Sequence, residues 1–212
     1  NLANSSGQVG RNFMAHVGTQ VWGRFEDETQ PFMGIPGGLI SEHHHRVDGL
    51  VGGYLLQSIG GMPVTYASQY ARGTGTWGVK LLEHIKGYVH SAGINILGEG
   101  LPYEHNFLEL SSEMDARGLP KPRIHYSNGE NEKRMHAHAE KQMRDIWTAA
   151  GARDLWTFPR AAHTLGTARM GEDWRSSVIN RDGRSFDIEN LYISDNSMFP
   201  SSLSVNPALT QM

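Results

Sequence analysis

Hydrophobic positions recur with two different periods along this chain. Between residues 131 and 150, Met135, Ala139, Met143, Ile146 or Trp147, and Ala150 return every three or four residues. That is the spacing of one buried helix face. Gly151 follows where a left-handed glycine commonly stops a helix, so the run predicts a helix over 131–150. Val79, Leu82, Ile85 and Val89 form a second helical stripe, and Thr76 suits an N-cap, which predicts a helix from there to about Tyr88. Residues 13–25 behave differently. Val17, Val21, Trp22 and Phe25 interleave with polar positions in a β-branched and aromatic context, the signature of a strand or hairpin. Short strands are expected at 94–97, 107–110 and 122–126. Residues 26–53 carry Pro31, Pro36 and paired glycines and read as a long loop region.

Near residues 156–160 the texture changes to Gly-rich and Asn-rich turns carrying short apolar runs. Val178-Ile179, the Asp182-Gly183 turn and Leu191-Tyr192-Ile193 predict a hairpin. The change is the candidate domain boundary. No internal repeat or low-complexity linker interrupts the chain.

Composition narrows the function classes. The 212 residues amount to one domain or two small ones, with 38% apolar and 19% charged residues, as in ordinary globular chains. The net charge of −3 lacks the basic footprint of a nucleic-acid or acidic-membrane binder. Without Cys there is no disulfide, thiolate zinc site, iron–sulfur cluster or cysteine nucleophile. The most apolar stretch, 49–64, is broken by glycines, Gln57 and Ser58, so no membrane-spanning segment is expected. Asn1 is not preceded by a start Met, and the chain ends about one turn into a helix opened by Asn206-Pro207. Both ends are therefore expected to be cuts through a longer protein.

Four features imitate chemistry without its context. Gly73-Thr74-Gly75-Thr76-Trp77-Gly78 matches the dinucleotide fingerprint letter by letter, with Glu99 at a suggestive distance. The fingerprint needs a buried strand before it, whereas residues 64–72 are mostly polar, and Trp77 falls where a pyrophosphate would approach the backbone. A Gly-rich turn leading into an ordinary helix is the better reading. Glu42-His43-His44-His45-Arg46 lacks the helical or hairpin spacing of a built metal site and reads as a solvated loop. His136 and His138 are expected to face solvent, and the Asn4-Ser5-Ser6 sequon is uninformative by itself.

The last fifty residues carry more information. His163 precedes a Gly166-Thr167 turn, and a short strand is expected to end in Asp195 and Ser197. Asn206-Pro207 then opens a helix whose free N–H groups favour negative charge. A base, a hydrogen-bonding side chain and an anion-stabilising helix end together suit removal of hydrogen from an alcohol.

The runs His163-x-x-Gly-Thr-x-Arg-Met-Gly171, Asn190-Leu-Tyr-Ile-x-Asp-x-Ser-x-x-Pro200 and Asn206-Pro-x-x-Thr210 resemble the C-terminal part of the glucose-methanol-choline (GMC) flavoprotein oxidoreductases. Val9-Gly10-Arg11-Asn12-Phe13-Met14 is similar to that family's entry into its substrate domain. Gly98-Glu99 with Leu101-Pro102, and Gly118-Leu119-Pro120 with Arg123-Ile124, are similar to the gluconate, fructose and sorbitol dehydrogenase subgroup.

The resemblance implies an α+β fragment. Residues 1–158 would be part of an antiparallel-sheet substrate-binding domain with helices. Residues 159–212 would be the strand–helix segment returning to an FAD-binding α/β domain, whose N-terminal dinucleotide-binding portion is absent. It implies FAD as cofactor and oxidation of a CH–OH group of a sugar, sugar acid, polyol or other alcohol, with hydride passing to flavin N5. His163 would be the general base, and Asn206 would hydrogen-bond the substrate oxygen. Asp195, Asn206, Pro207 and Thr210 would form the cofactor-binding set, Asp195 near the ribityl or pyrophosphate region. An electron-acceptor subunit such as a cytochrome is a possible partner, and the fragment made alone is expected to be inactive. Two other readings stay open. One is a non-catalytic sugar- or polyol-binding module that stacks Trp22, Trp77 or Trp174 on a ring. The other is a subunit-interaction module.

Overall fold

The computed structural model describes residues 2–211. It divides into two units. One takes in the chain up to His16, Glu99–Glu132 and the chain from His163 onward; the other takes in Val17–Gly98 and Lys133–Ala162.

The second unit is built on a sheet of five strands in the order β2-β3-β4-β1-β7. The strands are β1 (Met14–Arg24), β2 (Ile40–Ser41), β3 (Tyr54–Ile59), β4 (Ser91–Gly98) and β7 (Arg153–Leu165). β1 is antiparallel to β4, and β4 and β2 are each antiparallel to β3. Ten of the eleven β1 residues are buried, which requires cover on both faces of the sheet. Val17, Val21, Tyr54, Leu56 and Ile96 meet Met135, Ala139 and Met143 of α3 (Glu130–Ala149) on one face. Trp22 joins Tyr66, Tyr88, Trp156 and Phe158 in a second core cluster. Gly93, opposite Trp22 in the ladder, makes room for the indole: a Cβ there would lie 2.8 Å from it.

The 131–150 expectation is met by α3. Its first turn carries Glu130 and Glu132, which suits the helix dipole. Its end is a Schellman motif, with Gly151 at φ +82°, Ala152 N–H donating to Trp147 O and Gly151 N–H to Thr148 O. Trp147 rather than Ile146 continues the buried stripe. The indole N–H donates to Val21 O at 2.8 Å, while Ile146 is 40% exposed.

The glycine-rich stretch departs from expectation on both sides. Residues 63–74 form a helix, α1 (Pro63–Thr74), closed by Gly75 at φ +72°. The glycines therefore follow a helix, not a strand, which leaves the dinucleotide fingerprint without its βα context. The next helix, α2 (Val79–Ile85), starts after Gly78 with no side-chain cap. The Thr76 hydroxyl is bonded instead to the Thr74 hydroxyl. Val79 and Leu82 are exposed, so the predicted stripe does not bury its N-terminal half.

The other unit contains the two-stranded β5 (Phe107–Met114) and β6 (Pro120–His125) and a core of Met14, Leu165, Ala168, Val178, Ile179, Met198 and Phe199. The expected 178–193 hairpin is reorganised. Asn180, with its side chain accepting from the N–H groups of Asp182 and Arg184, makes the turn. The pairs are isolated bridges, Ile179 with Ser185 and Arg184 with Tyr192. Asp195 does not end a strand. It caps a 3₁₀ turn over Asn196–Met198 by accepting from Ser197 N–H at 2.7 Å. The last helix, α4 (Ala208–Gln211), begins at Pro207, whose carbonyl accepts from Thr210 N–H. Asn206 therefore stands one position before its cap rather than at it.

Candidate active site

Two of the three C-terminal motifs are tied together by main-chain hydrogen bonds. Gly166, Ala168 and Met170 N–H donate to the carbonyls of Asn196, Ser197 and Met198. Every second residue of one segment meets successive residues of the other, a register that sets the turn after Asp195 against the turn after His163. Gly10 joins them, its N–H donating to Thr167 O and its carbonyl accepting from Leu108 N–H, both at 2.7 Å. A Cβ on Gly10 would sit 2.3 Å from the Leu108 carbonyl oxygen, so only glycine fits here.

This junction surrounds a cavity of about 420 Å³. Thr164, Thr167, Asp195, Asn196 and Gln211 give it a polar side; Phe13, Leu108 and Ile124 give it an apolar one. The buried Asn196 Oδ1 has no hydrogen-bond partner among the described residues. An unpartnered acceptor in a residue of the cavity wall fits a ligand that brings hydroxyl or N–H donors. The ribityl and pyrophosphate regions of FAD bring hydroxyls and polar oxygens, so the residues present are compatible with that cofactor.

His163 is half-buried next to Thr164 and lies in the left-handed backbone region at φ +49°, an uncommon conformation inside a strand. Its Nδ1 is 2.9 Å from Nδ1 of His16, with the rings nearly perpendicular at 80°. His16 is only 1% exposed. Burial, and secondarily the neighbouring His163 ring, lower its pKa to about 4, the Leu203 backbone acting weakly the other way. His16 is therefore neutral near pH 7. Sequence reasoning missed it. The available signal was a polar residue within the apolar run that follows Asn12-Phe13-Met14.

Other sequence-predicted site residues are distributed as follows. Asp195 is exposed at the cavity wall. Asn206 and Thr210 are exposed and Pro207 is buried, on the segment that follows Ser202 and Leu203. Ser202 is buried and accepts from Gly100 N–H, and Ser194 Oγ donates to Gln211 O at 2.9 Å. The structure thus brings Asp195 and Thr167 of the 166–171 run to one cavity and adds Asn196 and Gln211 to it, while His163 is paired with His16.

The other candidates resolve into structure. Trp22 is 1% exposed and closed into the core, so it cannot stack on a sugar. His138 does not simply face solvent: its Nδ1 is 2.8 Å from the Tyr54 hydroxyl, and its ring meets His44 edge-on. His44 in turn stacks on Tyr54, and burial, then His43 and His138, lower its pKa. Among the described residues no group of three or more His, Asp or Glu is arranged to hold a metal ion, and no helix is long and apolar enough to cross a membrane.

Comparison with known proteins identifies the family. Residues 102–212 match the profile of the GMC oxidoreductase family. The chain is 31% identical to the fructose dehydrogenase large subunit of Gluconobacter japonicus, over 99% of this chain and 40% of that protein. It is 27% identical to the gluconate 2-dehydrogenase flavoprotein of Pantoea cypripedii, over 98% of this chain and 38% of that one. The crystal structure of pyridoxine 4-oxidase from Mesorbium loti superposes with a TM-score of 0.62 at 13% identity, covering 96% of this chain and 41% of that one, a likeness of fold. The chain spans about two fifths of the length of these relatives.

Proposed function

The chain belongs to the GMC oxidoreductase family, and from that premise we propose that it is the substrate-side part of an FAD-dependent oxidoreductase acting on CH–OH groups. The observation that carries this reading is the junction of residues 166–170 with 196–198 around a cavity whose wall includes Asp195, Asn196 and Thr164, the residue that follows His163. Sugars, sugar acids, polyols and simple alcohols are the proposed substrates. The relatives named as fructose and gluconate dehydrogenases favour the first two.

FAD, when bound, supplies the acceptor for the substrate's hydride. The residues of this chain do the rest. His163 takes the hydroxyl proton, which raises electron density on the substrate carbon and eases loss of its hydrogen. Asn206 holds the substrate oxygen by a side-chain hydrogen bond, and Asp195 and Asn196 hold the polar part of the cofactor. The helix end that starts at Pro207 stands near developing negative charge, with Thr210 on the cofactor side. Residues 1–158 serve substrate binding and residues 159–212 serve the cofactor side. Because one relative is named a large subunit, an electron-accepting partner subunit is part of the proposal.

The test is to purify the holoenzyme that carries this chain, read its flavin absorbance, and assay sugars, sugar acids, polyols and alcohols with an artificial electron acceptor. Flavin content near one per chain with oxidation of at least one of these classes is expected. A pure, folded protein without flavin, or with flavin but inert to every class, contradicts the proposal.

A further inference from the structure

Helix α2 has no buried residue, and its Val79 and Leu82 are exposed. The chain enters it through Gly75-Thr76-Trp77-Gly78. Both of these glycines are left-handed, at φ +72° and +67°, and nothing lies within 4 Å of the place of either Cβ. Trp77, between them, is 82% exposed. Two unhindered glycines three positions apart make a hinge. The far end is fixed: Gly87 and Tyr88 are buried, and the Tyr88 hydroxyl donates to Gly61 O. Between hinge and anchor, Ile85 packs half-buried against the Trp22 cluster, and His84 lies against aromatic rings. We propose that residues 76–86 form a hinged strap, latched by the neutral His84 ring and released when that ring takes up a proton.

The latch is a matter of geometry. The His84 ring is parallel to Tyr70, with 3.4 Å between centroids, and parallel to Tyr66 at 5.6 Å, while Trp156 meets it edge-on at 6.4 Å. Its Nε2 is 2.7 Å from the Tyr66 hydroxyl, which is itself 3.0 Å from Ser91 Oγ. Tyr66 is 1% exposed and Ser91 2%, so His84 carries α2 into a hydrogen-bonded interior. All of these residues lie in the unit that holds the five-stranded sheet.

A proton on His84 would place a charge in that slot. Burial opposes it most, and the Arg24 guanidinium of β1 opposes it as well; the Asp154 carboxylate of β7 acts the other way. From α1 the ring faces the phenols of Tyr66 and Tyr70, and Tyr88 stands beside Tyr66 from the 3₁₀ turn over Tyr88–His90. On α2 itself Glu83 pairs with Lys86 at 2.7 Å in solvent. The latched ring thus has a pKa below 6.5, whereas a ring swung into water keeps the ordinary value. Above about pH 6.5 both states are neutral and the latch has its full strength. As pH falls from there, the released ring gains a proton that the latched ring does not, and the equilibrium moves toward release. Release uncovers the rings of Tyr66, Tyr70 and Trp156.

The experiment is amide hydrogen exchange of the holoenzyme that carries this chain, read by mass spectrometry between about pH 7.5 and pH 5 and corrected for the intrinsic pH dependence of exchange. The N–H groups of Leu82, Lys86 and Gly87 donate to the carbonyls of Gly78, Leu82 and His84, so they carry the signal. Their protection should fall several-fold toward pH 5, within a ceiling of about 30-fold set by a free imidazole of pKa about 6.5. The Met135–Met143 stretch of α3, which is core, should keep its protection. His84→Phe keeps a ring against Tyr70 without a titrating group, and should make the strap's protection independent of pH. Wild-type protection of residues 79–87 that is the same at both ends of the pH range overturns the proposal whether or not the variant folds. So does a loss that α3 shares in parallel, because the unit and not the strap is then opening. A folded His84→Phe that keeps the wild-type pH dependence overturns it too.

Discussion

A Cβ atom on Gly166 would lie 2.2 Å from the carbonyl oxygen of Asn12. The backbone of Gly166 is also left-handed, at φ +98°, and its N–H donates to Asn196 O. One glycine thus lets the 163–171 segment pass against the 9–14 segment while holding the 196–198 turn. Gly166→Ala should cost at least ~1–3 kcal/mol from the backbone conformation alone, with more from the contact. A lowered midpoint in denaturant unfolding of the holoenzyme checks this, and an unchanged midpoint would contradict it.

Gly75 makes the contrasting case. It is left-handed at φ +72°, but nothing lies within 4 Å of the place of its Cβ. Gly75→Ala should cost about 1 kcal/mol and leave FAD content unchanged, because the glycine closes α1 and no phosphate is expected there. Loss of flavin from a folded variant would restore the dinucleotide reading of residues 73–78.

Trp147 and Ile146 are adjacent on α3 and share a helical period, yet only one is core. Trp147→Ala removes a large ring and the bond to Val21 O, and should cost about 3–5 kcal/mol. Ile146→Ala, at a site 40% exposed, should cost about 1 kcal/mol or less. Paired unfolding curves decide the order.

His16 makes stability depend on pH in a stated direction. Its pKa is lowered to about 4 in the folded protein, against about 6.5 unfolded, so its contribution is fully present above about pH 6.5. As pH falls from there toward 4, the unfolded chain gains a proton that the folded one does not, and stability drops by up to about 3 kcal/mol. The difference in unfolding free energy between pH 7 and pH 5 should shrink in His16→Asn. An identical pH dependence in wild type and variant would show that His16 is not the group.

The elements most legible in the sequence are those whose period ran uninterrupted. In α3, Met135, Ala139 and Met143 are fully buried as their spacing implied. The strand at 13–25 was legible for the same reason. α1 was not, because Tyr66 is its one buried residue, and Ser68, Gln69 and Arg72 hide any apolar stripe. Thr76 failed as a cap because α2 starts at Val79, with Gly78 in the cap position, and the Thr76 hydroxyl accepts from Thr74 instead. Trp22 looked available for stacking, but strand alternation places it toward Tyr66 and Trp156. At the site, spacing identified His163 and Asp195 but gave no distance between them. Nor did it reveal His16, since a pairing across 147 positions depends on tertiary contacts that no local period encodes.

The central claim is that His163 takes the substrate's hydroxyl proton, and anaerobic stopped-flow reduction of the flavin against pH tests it most directly. The wild-type rate should rise with pH as the base loses its proton. His163→Ala, with FAD content matched, should be slower by ~10²–10⁴-fold and lose that rise. Asn206→Ala should lose less, since it gives up a hydrogen bond worth ~0.5–3 kcal/mol and leaves the proton acceptor in place. Flavin reduction by His163→Ala at the wild-type rate, with the wild-type pH profile, would contradict the account.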